Sequence, residues 1–90
     1  MANHKSAIKE HRQAIQRRDR NRAHRSKLRG QVKRLRKALT DGDADGAKGL
    51  LIPTLSLLDH TAKLGAINDQ AASRTKSRLT KAMNRLAAGA

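Results

Sequence analysis

Residues 28–43 read LRGQVKRLRKALTDGD and contain both a helical apolar pattern and a turn signal. The bulky apolar residues of this stretch recur at spacings of four, three and four, which places them along one side of an α-helix. They are Leu28, Val32, Leu35 and Leu39. Gly42 can end that helix and Asp43 can cap the next, because glycine adopts the left-handed conformation easily and a carboxylate accepts from free amides. The stretch therefore predicts two antiparallel helices joined by a short turn.

Upstream, the same side of the helix carries only polar residues, none of which belongs in an apolar core. They are Arg25, Asn21 or Arg22, and Arg18. The stretch 6–40 nevertheless has no proline, a single glycine and many strong helix formers, so it is predicted as one helix. At about 1.5 Å per residue it would be roughly 50 Å long, more than a small domain can cover. The first helix is therefore expected to leave the bundle near Arg25.

Two further helices are predicted downstream, over about residues 44–63 and 68–87. The first of them contains Pro53, which should kink it or mark an irregular turn. Its apolar face consists of Ala47, Leu51, Leu55, Leu58 and Ala62, widened by Leu50, Leu57 and Leu64. The inward stripe of the last helix is Ala72, Thr75, Leu79, Ala82 or Met83, and Leu86. The sequence thus predicts one all-α domain over residues 1–90, a three-helix bundle whose long basic N-terminal helix extends beyond the bundle.

Positive charge is concentrated in the two outer helices. The chain of 90 residues has 21 Lys and Arg against 7 Asp and Glu, which gives a net charge of +14. Residues 1–37 contribute +12 and residues 74–90 contribute +5, whereas residues 38–73 contribute −3. Such an excess repels itself in a compact chain and needs a polyanion to offset it. Nucleic acid is the partner that this balance favours.

The most basic segment is residues 17–27, RRDRNRAHRSK, in which the cations lie all round the helix. A charged helix that is merely solvated usually balances its signs to form pairs three or four residues apart, but here Asp19 is the lone acid. RNA is favoured over DNA because the sequence has no recognition-helix pair, zinc finger or dimerising zipper. The chain contains no aromatic residue, so phosphate and 2′-hydroxyl contacts should dominate over base stacking.

Other classes of function find little support in the residues. The chain has no cysteine, so a disulfide, a thiolate nucleophile and a sulfur-bound zinc are excluded. Residues 41–46 match the opening of a calcium loop, but Ile52 stands where the loop requires a bidentate Glu. The four histidines form no metal-binding pair, and no catalytic motif or Gly-rich phosphate loop is present. No enzyme activity, cofactor, metal or small-molecule substrate is expected.

A membrane role is not expected either. The amino terminus has basic residues without a following apolar stretch, unlike a secretory signal. The longest apolar-rich stretch, residues 50–58, is too short to cross a bilayer. The sequence therefore predicts a soluble cytoplasmic protein with no membrane partner.

Several short motifs occur in an order and spacing that identify a family. They are the opening 1–9 (MANHKSAIK), the core 17–22 (RRDRNR) with Ser26 and Leu28-Arg29, the Gly42-Asp43 turn, and 65–67 (GAI) followed by 72–79 (ASRTKSRL). Over nearly the whole chain they resemble the bacterial small-subunit ribosomal protein S-twenty family. The chain departs from that family at His4, Asp19 and residues 68–70, where a more basic segment is usual.

This resemblance implies a three-helix bundle whose first helix extends into ribosomal RNA. It implies a structural constituent of the 30S subunit that binds 16S ribosomal RNA directly, early in assembly, and stabilises its packing. The RNA-facing positions that it implies are Lys5, Lys9, Arg17, Arg18, Arg20, Arg22, Arg25, Arg29, Arg74, Lys76 and Arg78. To these we add polar neighbours on the same two helices, which are Arg12, Asn21, Ser26, Lys33, Ser77 and Lys81.

Two alternative functions remain open at this point. An architectural, nucleoid-type DNA-binding protein would dimerise and bind any duplex with comparable affinity. A membrane-active or protein-inhibiting cationic helix would bind vesicles or acidic proteins even after nuclease treatment. The ribosomal interpretation instead predicts a protein that is monomeric outside the ribosome.

Overall fold

The computed structural model describes residues 2–89, with side chains described from residue 5 onward, so the departure at His4 concerns a side chain outside the described residues. Within this range there are three α-helices and no strand: α1 is Ala2–Thr40, α2 is Ala44–Lys63 and α3 is Asp69–Gly89. The predicted all-α class is confirmed. The first helix begins four residues before the expected start, because no proline or glycine precedes Ser6 to stop it.

The described chain is elongated because α1 is much longer than the other helices. Its principal extents are 68 × 19 × 15 Å, and the 39 residues of α1 account for about 58 Å of the longest one. Helix α2 lies between the others and packs against both, whereas α1 and α3 touch each other at few positions. The predicted bundle with a long N-terminal helix projecting beyond it is confirmed.

Both inter-helix turns are closed by a glycine in the left-handed conformation. Gly42 has a φ of 73°, and the amide of Asp43 donates to the Ala38 carbonyl at 2.9 Å. Gly65 has a φ of 77°, and the amide of Ala66 donates to the Thr61 carbonyl at 3.1 Å. This bond pattern is the Schellman motif, which pairs the last free carbonyls of a helix.

The starts of α2 and α3 are capped by side chains. The Asp43 carboxylate accepts from the Gly46 amide at 3.0 Å, and the Asn68 side-chain oxygen accepts from the Gln70 amide at 2.8 Å. Asn68 is therefore the cap of α3 and not its first helical residue, which moves the start of α3 to Asp69. Of the aspartates that resemble a calcium loop, Asp41 and Asp43 lie in the turn between α1 and α2, and Asp45 lies in the first turn of α2. Asp43 serves as the cap of that helix.

The core differs from the predicted one on α2. Leu51, Leu55 and Ala62 are only half-buried, whereas Thr54 and Thr61 are fully buried. Each threonine hydroxyl donates to the carbonyl four residues earlier at 2.7 Å, so neither leaves an unsatisfied polar group in the core. Because α2 packs between two helices, its leucines flank the threonines and contact the helix on either side. The buried apolar residues are Leu28, Leu35, Ala38, Ala47, Leu58, Ala66, Ala72, Leu79 and Met83.

Pro53 lies inside α2 without interrupting it, so the irregular turn, one of the two expectations for this position, is not observed. Proline has no amide hydrogen, so the carbonyl of Gly49, four residues earlier, accepts no helical hydrogen bond from position 53. Both Pro53 and Gly49 are exposed. That carbonyl can therefore bind water, and its residue offers no side chain to obstruct the ring.

Leu35 is fully buried where α1 meets α2, so its truncation should be among the most costly changes in the chain. Leu35→Ala should lower the free energy of unfolding by about 2–5 kcal/mol, since it removes apolar contacts and leaves a cavity. Ile52→Ala, at a position that is 66% exposed, should change it by less than about 0.5 kcal/mol. Urea unfolding followed by circular dichroism measures both, and equal midpoints would contradict the assigned core.

Candidate nucleic-acid interface

The first half of α1 stands outside the bundle. Between residues 5 and 20 every side chain is exposed except Ile15, which is half-buried. This segment, called the α1 rod below, has no protein surface to pack against. The predicted site residues that lie on it are Lys5, Lys9, Arg12, Arg17, Arg18 and Arg20.

The rod joins the bundle about one turn earlier than predicted. Asn21, His24 and Arg25 are half-buried, and the Arg25 guanidinium (Nη1) donates to the Ala66 carbonyl at 3.2 Å. The His24 ring meets that of His60 edge-on, with 5.6 Å between centroids. The prediction that the helix leaves near Arg25 is therefore wrong: it leaves near Asn21. Polar side chains can pack at the rim of a core when their polar atoms find partners or remain near water.

Two of the predicted contact residues, Asn21 and Arg25, are half-buried and not fully exposed. The Asn21 side-chain oxygen (Oδ1) is buried and has no hydrogen-bond partner within the described residues. The Arg25 side chain ties α1 to the loop between α2 and α3. Both predicted contact residues thus lie against the bundle, in contrast to their exposed neighbours Arg22 and Ser26.

A continuous cationic stripe follows one side of α1 from the rod into the bundle. Its members are spaced four, three, four, four and three residues apart, so they share a side of the helix over about 27 Å. The α1 stripe consists of Arg18, Arg22, Arg25, Arg29, Lys33 and Arg36. All are exposed apart from half-buried Arg25, and Arg36 was not among the predicted site residues.

Helix α3 presents a second basic face. The exposed residues on it are Arg74, Ser77, Arg78, Lys81 and Arg85. Arg85 was not predicted as a site residue, although its spacing of four from Lys81 places it on the same face. Lys76 points elsewhere: its Nζ lies 3.2 Å from the Asp59 carboxylate (Oδ2) on α2. The structure thus separates Lys76 from the α3 residues with which it was grouped.

The described residues include no helix that is both long and apolar enough to cross a membrane.

The fold and surface define a small, strongly cationic, all-helical protein with a helical rod outside its core. The family model described as "Ribosomal protein S20" matches residues 2–84. The chain therefore belongs to the ribosomal protein S20 family, a family of structural ribosomal proteins and not of enzymes. The family resemblance expected from the motifs is confirmed.

Three similar proteins each carry the name "Small ribosomal subunit protein bS20". The protein from Desulfovibrio desulfuricans is 43% identical over 88 residues, which cover 98% of this chain and 99% of the relative. That from Nitratidesulfovibrio vulgaris is 42% identical over 87 residues, 97% of this chain and 100% of the relative. That from Geotalea daltonii is 46% identical over 86 residues, 96% of this chain and 99% of the relative. The likeness thus spans the rod as well as the bundle.

The contact between Arg25 and Ala66 predicts unequal roles for two arginines of the α1 stripe. Arg25→Met should lower the free energy of unfolding by about 1 kcal/mol, because the Ala66 carbonyl loses its donor. Arg29→Met should change it by less than about 0.5 kcal/mol, since Arg29 is exposed and forms no hydrogen bond within the described residues. Chemical unfolding of both variants measures the difference, and an equal effect would argue against the hydrogen bond.

Proposed function

We propose that this chain is a structural constituent of the small ribosomal subunit that binds 16S ribosomal RNA directly and stabilises its packing during assembly. Its place of action would be the 30S subunit in the cytoplasm, in line with its family and with the names of its relatives. The observation that carries the proposal is the α1 rod: a helical segment with cations on every side and no core of its own.

The mechanism is electrostatic and depends on the shape of the rod. RNA helices that pack together bring phosphates close to one another, and their repulsion opposes the packing. A single α-helix with cations all round it can occupy the crevice between them and neutralise phosphates on several sides. If about 6–10 phosphates are neutralised, affinity should fall by on the order of 10³ to 10⁵ between 50 and 200 mM salt.

The proposed RNA contacts divide according to their surroundings. The residues free to meet phosphates directly are Lys5, Lys9, Arg12, Arg17, Arg18, Arg20, Arg22, Ser26, Arg29 and Lys33 on α1, with Arg74, Ser77, Arg78 and Lys81 on α3. Asn21 and Arg25 would act at the junction of rod and bundle, where Arg25 also fixes the loop. Lys76 can exchange its exposed Asp59 partner for a phosphate at little cost, because such surface pairs contribute little to stability.

We also propose that residues 1–90 act as one unit that is monomeric outside the ribosome and needs no cofactor. Two copies that each carry a net charge of +14 repel one another, which disfavours a homodimer in the absence of RNA. An architectural DNA-binding role would require such a dimer, and the relatives named above give it no support.

A double charge reversal on the α1 stripe, at the end of the rod and just beyond it, tests the role of this surface. Arg18→Glu combined with Arg22→Glu should greatly weaken binding to a small-subunit ribosomal RNA fragment. It should also reduce the slope of log affinity against log salt by about 2. The melting temperature should stay unchanged, because both side chains are exposed beyond the core.

The matched control places the same charge change on the middle helix. Lys48→Glu combined with Lys63→Glu alters two exposed cations of α2, which lies outside the proposed interface. This variant should retain most of the RNA affinity, with only a long-range electrostatic loss. Equal losses in the two variants would show that net charge alone, and not the α1 stripe, determines binding.

A further inference from the structure

A groove runs between α1 and α3 because α2 holds these helices apart. Its volume is about 450 Å³, and its floor is aliphatic. Leu58 of α2 lies at the bottom, beside Leu28 and Val32 of α1 and Ile67 at the approach to α3. Val32 and Ile67 are only half-buried, so part of this apolar surface can still be reached from outside. We call this cavity the α1–α3 groove.

One edge of the groove is cationic and the other carries a free hydroxyl. The α1 edge consists of four members of the α1 stripe, Arg25, Arg29, Lys33 and Arg36, and none of the residues lining the groove is acidic. The α3 edge is formed by Ala71 and Thr75. An occupant must therefore offer both an apolar surface and negative charge.

Thr75 differs from the other threonines of α2 and α3. Thr54, Thr61 and Thr80 each donate to the carbonyl four residues earlier, at 2.7 to 2.8 Å. In the part of the chain that the structure describes, the Thr75 hydroxyl has no such bond, and the side chain faces the groove half-buried. It is a donor and acceptor placed beside an apolar floor and opposite a cationic edge.

We propose that the α1–α3 groove seats one unstacked nucleotide of the bound RNA, an inference that rests on the proposed function. The base or sugar lies against the aliphatic floor, the flanking phosphates lie along the Arg29 edge, and the ribose 2′-hydroxyl bonds to Thr75. The cationic edge continues without a break into the rod, so one polyanionic strand can follow both. A 2′-hydroxyl partner is what allows a protein to distinguish RNA from DNA.

A protein helix with acidic residues is the other occupant that would match the charge, but it fits less well. Two turns of α-helix, about 10 Å across and 11 Å long, occupy roughly twice the volume of the groove. The volume of the groove is instead within the range of pockets that take small organic groups such as a single nucleoside, about 300–1,000 Å³. A second copy of the chain is disfavoured by its charge of +14.

The first test fills the groove without removing any core contact. Ala71 is exposed at the α3 edge, and Ala71→Leu places a larger side chain there while preserving helix propensity. Binding to a small-subunit ribosomal RNA fragment should weaken by on the order of tenfold, the effect of excluding one apolar contact. The salt slope should not change, because no charge is altered. Ala87→Leu, on the exposed surface of the same helix, is the matched control and should bind as the unchanged chain does.

The second test addresses Thr75 directly. A pool of the RNA fragment carries single 2′-deoxynucleotides at random positions, and bound and unbound molecules are compared. The unchanged protein should reject substitution at a defined set of nucleotides, and Thr75→Val should abolish the rejection at one of them. Thr80→Val should preserve it, since the Thr80 hydroxyl is already bonded to the Lys76 carbonyl.

Three results would overturn the inference. They are wild-type affinity in Ala71→Leu, a set of rejected 2′-deoxy positions that is the same in Thr75→Val as in the unchanged protein, and an acidic helical peptide that occupies the groove while the RNA stays bound. If the proposed function itself fails, the unchanged protein will show no preference for the ribosomal fragment. If only the groove assignment fails, that preference will persist and Ala71→Leu will leave it intact.

Discussion

The apolar stripe of α1 ends at Leu28, while the helix itself continues back to Ala2. Leu28, Leu35 and their partner Leu58 on α2 hold the carboxyl-terminal half of α1 in the bundle, whereas the bulky apolar residues of the other half, Ile8 and Ile15, do not belong to the core. An isolated polar helix gains little stability from propensity alone. The rod therefore depends on two supports. The packed half of α1 continues the backbone hydrogen bonding of the rod at one end. In the proposed function, RNA phosphates meet the cations of the rod.

The remaining features of the bundle serve that arrangement. Two Schellman turns reverse the chain sharply, so α2 and α3 stack beside the packed half of α1 and leave the rod clear. Five of the seven acidic residues lie in the turn after α1, on α2 or at the start of α3, and the Asp59 carboxylate draws Lys76 towards the middle helix. Among the described residues, the cations of α1 and most of those of α3 therefore form no salt bridge within the protein. Because α2 separates the outer helices, an apolar floor remains partly open between the basic edge on α1 and the edge on α3 that Ala71 and Thr75 form.

Local patterns in the sequence were sufficient for much of this fold. The spacing of Leu28, Val32 and Leu35, together with the Gly42-Asp43 pair, predicted the first two helices and their turn. The polar residues that continue the Leu28 stripe upstream, which are Arg25, Asn21 or Arg22, and Arg18, predicted the rod. Within the site, helical spacing also placed the exposed cations of α1 on several sides of one helix. Each of these features depends on residues within a few turns of one another.

Features that depend on contacts between distant segments could not be predicted in this way. The rotation of α2 that buries Thr54 and Thr61 reflects packing on two sides at once, and hydropathy assigns those positions to the surface. The pairing of His24 with His60, the bond from Arg25 to Ala66 and the Lys76–Asp59 pair all join residues on different elements. The α1–α3 groove likewise exists only once three helices are assembled.

We propose that the rod and its neighbouring basic faces recognise a particular RNA architecture and not merely negative charge. The most direct measurement is competitive binding of the unchanged protein to labelled small-subunit ribosomal RNA fragments at moderate salt, with duplex DNA and an unrelated structured RNA as competitors. One ribosomal fragment should be preferred, and neither competitor should displace it at comparable concentration. Equal competition by all three polyanions would contradict it.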